Sequence, residues 1–542
     1  MLGRLAPPTI LAAALTLSLA HAVPPLQGRL AQAPPQRVFL GFRYMAGDHH
    51  QYAAFIRQAR DTGALRMHDP FTTEPHAPVF VFPFFWVLGL LSRLLGGSIP
   101  LAWDAARCAL AFAYVIVFWR FTAGFFQRAG QRTAATVLFA FGGGLDWIAV
   151  ALARTVLPQL RTLEYPLEYF WNWSTFGTAV MPNWVWPALL TTVAVHGVAQ
   201  GRRWAGPVSA LLLPVIWLSH AYTGMVAYLL FGLLPVVAAA RKPAPGGPGR
   251  LRLAASHARA ALPALLSFLP VGLYLLWATR DPVFEQVSGN GWLWTIRFSL
   301  AWYPLSYGLL LPLGLYGAAS AWRERTLRSD IVLAWLAAAF LLSVNPWYAP
   351  AKFHYLLYPP LALLAARGAF ALAAGRGRLA RLAGRRWAAA AAVPLLFLNA
   401  PVSLLRDLPR PGVDPRAFLS EAELAAMRWL ETRPAGPVLS SYNTGNVIPW
   451  LAGKPACVGH WFLTVNLAPK LEQVMAFFSP RAELSFKREI LRGSRARYIY
   501  YGPEEARYGR VDPALGLAPA YEAGGVAVYE LQGQRGTLGG ER

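Results

Sequence analysis

The chain reads as a polytopic α-helical membrane protein carrying a small extracytoplasmic α/β domain at its C-terminal end. Three observations give that class. Of 542 residues 56% are hydrophobic and 14% charged, with a mean hydropathy of +0.36, a balance foreign to soluble domains. Apolar runs of about 17 to 22 residues recur, the length that crosses a hydrocarbon core of about 30 Å. After residue 406 the apolar runs stop and charged, helical and strand-like segments mix.

The net charge of +24 does not indicate nucleic acid, because the basic residues fall in short loops between apolar runs, where membrane topology alone puts them. Cys108 and Cys457 give neither a disulfide framework nor a metal spacing. Residues 1–25 form a first transmembrane helix or signal anchor: Arg4 precedes the apolar stretch Leu5–Leu19, and Ala20-His21-Ala22 resembles a cleavage site.

Further spans are expected at 101–119, 133–153, 179–199, 204–219, 222–239, 260–279, 298–320, 330–345, 354–373 and 387–405, which make residues 101–405 the transmembrane body. The run 203–239 is too long for one crossing at about 1.5 Å per residue, and His220-Ala221-Tyr222-Thr223-Gly224 is the place to turn. Lysine and arginine set the orientation. Loops 120–132, 200–203, 241–259, 321–329 and 374–387 hold 18 of them, whereas 156–178, 220–224, 280–297 and 345–355 hold 4. The first set is therefore cytoplasmic. If Phe80–Leu95 crossed, every later loop would invert, so it is read as an in-plane or re-entrant helix, as Pro78 and Pro83 also suggest. About eleven transmembrane helices result, with the N-terminus inside and the C-terminus outside.

Residues 26–100 become the first extracytoplasmic loop. They hold Gly47-Asp48-His49-His50 and Asp69-Pro70-Phe71-Thr72-Thr73-Glu74-Pro75-His76, ionisable groups that are costly beside lipid unless they do chemistry. Tyr52, Phe55, Ile56 and Ala59 recur at helical spacing, with Arg57, Arg60 and Asp61 on the other face and Gly63 as a stop. The expectation is a helix lying along the membrane surface.

Asp48 is a candidate base or a cap for a helix starting near His50. Glu74 is a second acid or a ligand of loop amides. Adjacent side chains diverge, so one of His49 and His50 is expected to be solvated. Four of the ten histidines lie between 49 and 76, yet no His-Glu-x-x-His or paired-cysteine spacing supports zinc hydrolysis.

Asp146, after three glycines, is a functional candidate or a group reaching water near a helix end, and His220 lies at an external turn. Tyr165, Tyr169, Phe170, Trp171, Trp173, Trp184 and Trp186 read as an interfacial belt or as a sugar-stacking surface. Asn172-Trp173-Ser174 has the sequon form.

Beyond the linker Leu408–Gly412, residues 406–531 form the C-terminal domain and 532–542 a polar tail. Ser420 followed by Glu423 is a capping-box pattern that starts a helix to Arg433. Pro437–Ser440, Arg497–Tyr501 and Val526–Leu531 read as strands. No internal repeat is visible, which counts against an inverted-repeat transporter.

Taken together, the first helix, the acidic external loop, the Pro-flanked amphipathic stretch, the many-helix body and the external C-terminal domain resemble a GT-C integral-membrane glycosyltransferase. Gly47-Asp48-His49 and Thr73-Glu74-Pro75-His76 are similar to signatures of uncharacterised bacterial members. Gly459-His460-Trp461 and Tyr500-Tyr501-Gly502-Pro503 are similar to their C-terminal domains. The chain departs from the family in having a lone Asp48 where many members carry two acids close together.

The resemblance implies an inverting transferase in the cytoplasmic (inner) membrane. It would move a sugar from a polyprenyl-phosphate donor to a glycan, lipid or protein acceptor at the extracytoplasmic face. Asp48 and Glu74 would be catalytic, or hold a divalent metal ion such as Mg or Mn, with His49, His76, Asp146 and His220 as substrate or supporting groups. Asn345–Tyr355 resembles the GT-C segment that meets the donor phosphate, which makes Lys352, His354 and Tyr355 phosphate-binding candidates. Lys352 can equally be an interfacial lysine beside aromatic residues. The alternative function is a lipid or polysaccharide-precursor transporter.

Overall fold

A computed structural model describes residues 6–30, 37–42, 46–145, 147–148, 173–241, 249–290, 300–375, 377–378, 381, 385–407 and 417–531. Asp146, most of the aromatic loop before Trp173, the 408–412 linker and the polar tail lie outside these residues. The chain forms two compact units. One comprises residues 1–24, 104–275 and 292–408; the other comprises 25–103, 276–291 and 409–542.

The first unit is a helical body. Helices Pro182–Ala199, Ala205–Ser219, Ala221–Ala240, Leu310–Glu324, Leu327–Ser343 and Tyr358–Ala373 fall on expected spans. The turn anticipated at His220 is present, with His220 in extended conformation between Ser219 and Ala221. The span expected at 298–320 is broken at Gly308, whose φ of +52° a side chain would disfavour.

Among the described residues, four helices are long and apolar enough to cross a membrane: Pro8–Arg29, Ile99–Thr122, Ala221–Ala240 and Arg250–Ala278. A fifth becomes possible if Pro350–Leu356 and Tyr358–Ala373, bent by 44°, act as one span. The count of eleven is thus not reached on length and composition alone.

Helix packing in the body depends on small residues. A Cβ on Gly317 would lie 1.9 Å from the Leu364 carbonyl oxygen, and one on Gly368 would lie 2.0 Å from that of Leu313. Helices Leu310–Glu324 and Tyr358–Ala373 therefore meet backbone to backbone. The body also buries charge: Arg241 pairs with Asp330 at 2.6 Å, and Asp330 meets His257 Nε2 at 3.0 Å. All three are at most 4% exposed, and Arg241 and His257 come from the loop 241–259 expected on the cytoplasmic side. A buried carboxylate needs such partners.

The second unit joins the acidic segment to the C-terminal segment. Strand β1 (Arg37–Phe39) pairs antiparallel with β4 (Phe418–Ser420), and β2 (Arg66–Met67) pairs with β3 (Phe80–Val81). Strands β5 (Val438–Leu439), β6 (Tyr498–Tyr501), β7 (Pro519–Ala523) and β8 (Val526–Glu530) form one sheet in the order β5-β6-β8-β7, parallel only between β5 and β6. Phe477, Phe478, Leu491 and Ile499 fill the core beneath it. β5, β6 and β8 match the expected strands; β1 to β4 and β7 lie outside them. Helix Glu421–Glu431 opens with the Ser420/Glu423 capping box, as its pattern required.

Helix Ala46–Thr62 buries Phe55, Ile56 and Ala59 and stops at Gly63, φ +73°. Arg57 departs from its expected place on the solvent face. It is 9% exposed and donates to the Trp450 and Leu451 carbonyls at 3.0 and 2.8 Å and to Glu431 at 2.7 Å. The expected in-plane segment contains helix Pro83–Leu94, with Pro83 in its first turn.

Candidate active site

The second unit brings both acidic motifs against one stretch of the C-terminal segment. Residues 455–457 run beside β5: Val438 and Ala456 form a parallel bridge, and Cys457 donates its amide to the Val438 carbonyl at 3.0 Å. Ala456 in turn donates its amide to the Pro70 carbonyl at 2.9 Å, attaching Asp69–His76 to that edge. Gly459 permits the approach, since a Cβ there would sit 2.5 Å from the Phe71 ring.

Asp48 lies in the first turn of helix Ala46–Thr62, where the amide dipoles favour a carboxylate. The helix begins at Ala46, earlier than expected, so Asp48 is inside the turn instead of capping it. His460 Nε2 lies 3.2 Å from Asp48 Oδ1, and the two side chains are 3% and 21% exposed. The Phe462 amide donates to His460 Nδ1 at 3.4 Å. Nδ1 is therefore the acceptor, and Nε2–H is left to donate to Asp48.

Glu74 is held by Lys470, whose Nζ lies 2.7 Å from Oε1 and 2.8 Å from Oε2, and by the Thr72 hydroxyl. Burial opposes ionisation of Glu74, but the hydrogen bonds from Lys470 and Thr72 outweigh it and hold the carboxyl below its ordinary value. Asp69 behaves oppositely. It is 2% exposed; among the described residues its Oδ1 accepts the Phe71 amide at 2.8 Å and its Oδ2 is buried without a hydrogen bond. Burial pushes this carboxyl up to about 8 despite that amide and the Lys470 charge.

His76 braces the loop: its Nε2 accepts the Asp69 amide at 2.8 Å, leaving Nδ1–H to donate to the Glu74 carbonyl at 2.8 Å. Asp281 adds a second brace. It caps helix Pro282–Gly289 through Oδ1 and accepts the Ala77 amide at 2.9 Å through Oδ2. Neither His49 nor His50 is solvated, contrary to expectation, at 2% and 0% exposure. They do diverge: His49 stacks on Phe42 at 5.2 Å, whereas His50 stacks on Trp450 at 5.6 Å.

The helical body holds a separate cluster. Tyr355 Oη lies 2.5 Å from Thr223 Oγ1 and 3.1 Å from His220 Nδ1, and the Tyr355 ring stacks on Trp184. Lys352 Nζ lies 5.9 Å from the centre of the same indole, close enough for a cation–π contact. His354 is turned elsewhere, 0% exposed and stacked on Trp173 at 3.8 Å, with its carbonyl accepting from the Tyr307 hydroxyl at 2.9 Å. Lys352, Tyr355 and His220 thus come together, and His354 packs apart from them against Trp173.

No protein-family model matches the chain, and no curated protein matches it. Solved structures do. The apo oligosaccharyltransferase of Archaeoglobus fulgidus is 12% identical with a TM-score of 0.55, covering 93% of this chain and 72% of that one. Apo ArnT from Cupriavidus metallidurans is 13% identical with a TM-score of 0.52, covering 98% and 100%. The archaeal protein AglB has also been solved with an inhibitory peptide and a dolichol-phosphate, at 12% identity, a TM-score of 0.53 and coverage of 96% and 74%.

The chain has the GT-C fold.

A further structure of the archaeal oligosaccharyltransferase holds zinc and sulfate. In this chain the donor set does not suit a divalent ion shared by Asp48 and Glu74. Glu74 is already ion-paired with Lys470, and among the described residues no three metal-ligating side chains come together. No chemical step is therefore routed through a metal. The residues that sequence reasoning missed in this site are Asp281, Lys470 and the contact made by His460. The Gly459-His460-Trp461 motif was visible; its destination 412 residues upstream was not.

Proposed function

We propose that the chain is an inverting glycosyltransferase that moves a sugar from a polyprenyl-phosphate donor to an acceptor hydroxyl at the extracytoplasmic face of the cytoplasmic membrane. The observation that carries the reading is the part-exposed Asp48 carboxylate, fixed at a helix start by a buried histidine. The fold supports the same class. In the reaction the acceptor oxygen attacks the anomeric carbon, its proton passes to Asp48, and the bond from that carbon to the phosphate oxygen breaks. A phosphate-binding role is proposed separately, within the helical body, for Lys352 and the Tyr355 hydroxyl, a charge and a hydrogen-bond donor. Glu74, with Lys470, orders the acidic loop.

The topology belongs to this proposal: eleven crossings, with the C-terminal segment outside. Reporter fusions at 125 and 250 should give cytoplasmic signals, and extracytoplasmic signals at both would reject it.

The decisive assay is transfer in membranes with a panel of polyprenyl-phosphate-linked sugars, comparing wild type, Asp48→Asn and Glu74→Gln. Loss of a general base should slow turnover by about 10²- to 10⁴-fold. Unimpaired transfer by Asp48→Asn would reject the assignment. Chelation should leave transfer intact. Loss that is restored by Mn would mean that Lys470 gives way to an ion at Glu74.

A further inference from the structure

We propose that His460 is a positioning residue for Asp48: a neutral imidazole whose Nε2–H holds the carboxylate in one rotamer at the helix start, an inference that rests on Asp48 being the base. The geometry fixes each link. The Phe462 amide occupies Nδ1, so the ring is set as an Nε2–H donor. The donor lies 3.2 Å from Asp48 Oδ1.

The ring itself cannot wander. His460 is 3% exposed, packs beside Phe71 with ring centres 6.0 Å apart, and accepts the Leu463 and Thr464 amides on its carbonyl at 3.1 and 2.9 Å. Thr464 closes the turn by accepting the Gly459 amide on its hydroxyl at 3.0 Å. Helix Pro282–Gly289 and the residue after it reach the same turn: Asn290 Nδ2 donates to the Phe462 carbonyl at 2.8 Å and Gln286 donates to Asn466 Oδ1 at 3.3 Å.

A base oriented by a second side chain is a recurring arrangement, because a carboxylate free to rotate spends little time aligned with the proton it must take. Here the orienting group comes from the C-terminal segment. That segment would act in the chemistry by aiming the base, whatever acceptor it also meets.

The hydrogen bond can be read without any substrate. In the full-length protein labelled with ¹⁵N-histidine in detergent micelles, the His460 signals are assigned by their absence from His460→Gln. The expected result is a single neutral Nε2–H tautomer whose Nε2 resonance moves in Asp48→Asn. A ring exchanging between tautomers, or an Nε2 resonance indifferent to Asp48→Asn, overturns the proposal.

Turnover supplies the second readout, using whichever polyprenyl-phosphate sugar of the panel is transferred fastest. His460→Ala should lower kcat by about 10- to 100-fold with donor KM changed less than about threefold, the pattern of a lost orienting bond. His460→Gln presents an amide N–H in place of Nε2–H and should recover most of that rate. Equal losses in the two variants, or a loss confined to KM, would contradict it. If Asp48→Asn turns over normally, the base assignment fails and takes this inference with it. If Asp48→Asn is inactive while His460→Ala is unimpaired, only the role of His460 falls.

Discussion

The helical body and the second unit solve the same problem, holding polar groups among apolar ones, by different means. The body brings two helices into backbone contact on Gly317 and Gly368 and buries a charged cluster of Arg241, Asp330 and His257. The second unit is tied by side chains that reach across hundreds of residues: His460 to Asp48, Lys470 to Glu74, Arg57 to the Trp450 and Leu451 carbonyls. At Gly317 and Gly368 packing in the body is set by shape. At these ties packing in the second unit is set by the identity of a few donors and acceptors.

The contrast breaks most sharply at Gly317. An added methyl would meet the Leu364 carbonyl oxygen, carbon and the Gly368 nitrogen at 1.9, 2.7 and 3.0 Å. All three are backbone atoms, so two helices must part. Gly317→Ala should cost about 3 kcal/mol or more, read as a lower thermal unfolding midpoint in detergent. A midpoint equal to wild type would mean that the helices are not held at this distance.

In the second unit the corresponding test is Arg57→Leu. It leaves Glu431 and two carbonyl oxygens without their donor, a loss of about 2 kcal/mol once the partial exposure of Glu431 is allowed for. Hydrogen exchange should rise in helix Tyr442–Leu451 and stay unchanged in helix Leu310–Glu324. A uniform rise in both would erase the distinction drawn here.

This difference also explains what the sequence could tell. Helix positions in the body were legible because apolar length and the turn at His220 are local properties. So were Gly63, the Ser420/Glu423 capping box and strands β5, β6 and β8. Arg57 misled because helical periodicity sets it opposite the apolar stripe, and the histidine pair misled because divergence of adjacent side chains does not require that either meets solvent. Here carbonyls, Trp450 and Phe42 from elsewhere in the chain cover them. The acids were found from their local density; their basic partners were not, because nothing near His460 or Lys470 records which carboxylate each will meet.

Asp69 sharpens the comparison through pH. Its carboxyl is raised from about 3.9 in the unfolded chain to about 8 by burial, so between those values the folded state binds the extra proton. Stability therefore falls as pH rises through that window and levels off above it, by up to about 1.4 kcal/mol per pH unit. Asp69→Asn keeps the shape without the titration and should flatten that part of the profile, measured as unfolding midpoint between pH 5 and 8. An unchanged slope would assign the dependence to another group.

The smallest expected effect lies in the body, at Lys352. Its ammonium faces the Trp184 indole beside Tyr355, His220 and Thr223, and two accounts of it differ in what removal does. A lysine that only lies along an aromatic belt contributes its methylene stem and some cation–π attraction, which both substrates would feel equally or not at all. A lysine that meets the donor phosphate is felt by the donor alone. Lys352→Ala should then raise donor KM about tenfold, near 1.4 kcal/mol, and leave acceptor KM unchanged. Lys352→Arg, which keeps the charge, should recover part of the loss. Equal KM values for the donor in all three proteins would return Lys352 to the belt and leave phosphate recognition to other groups, while the acid site in the second unit would stand or fall on its own variants.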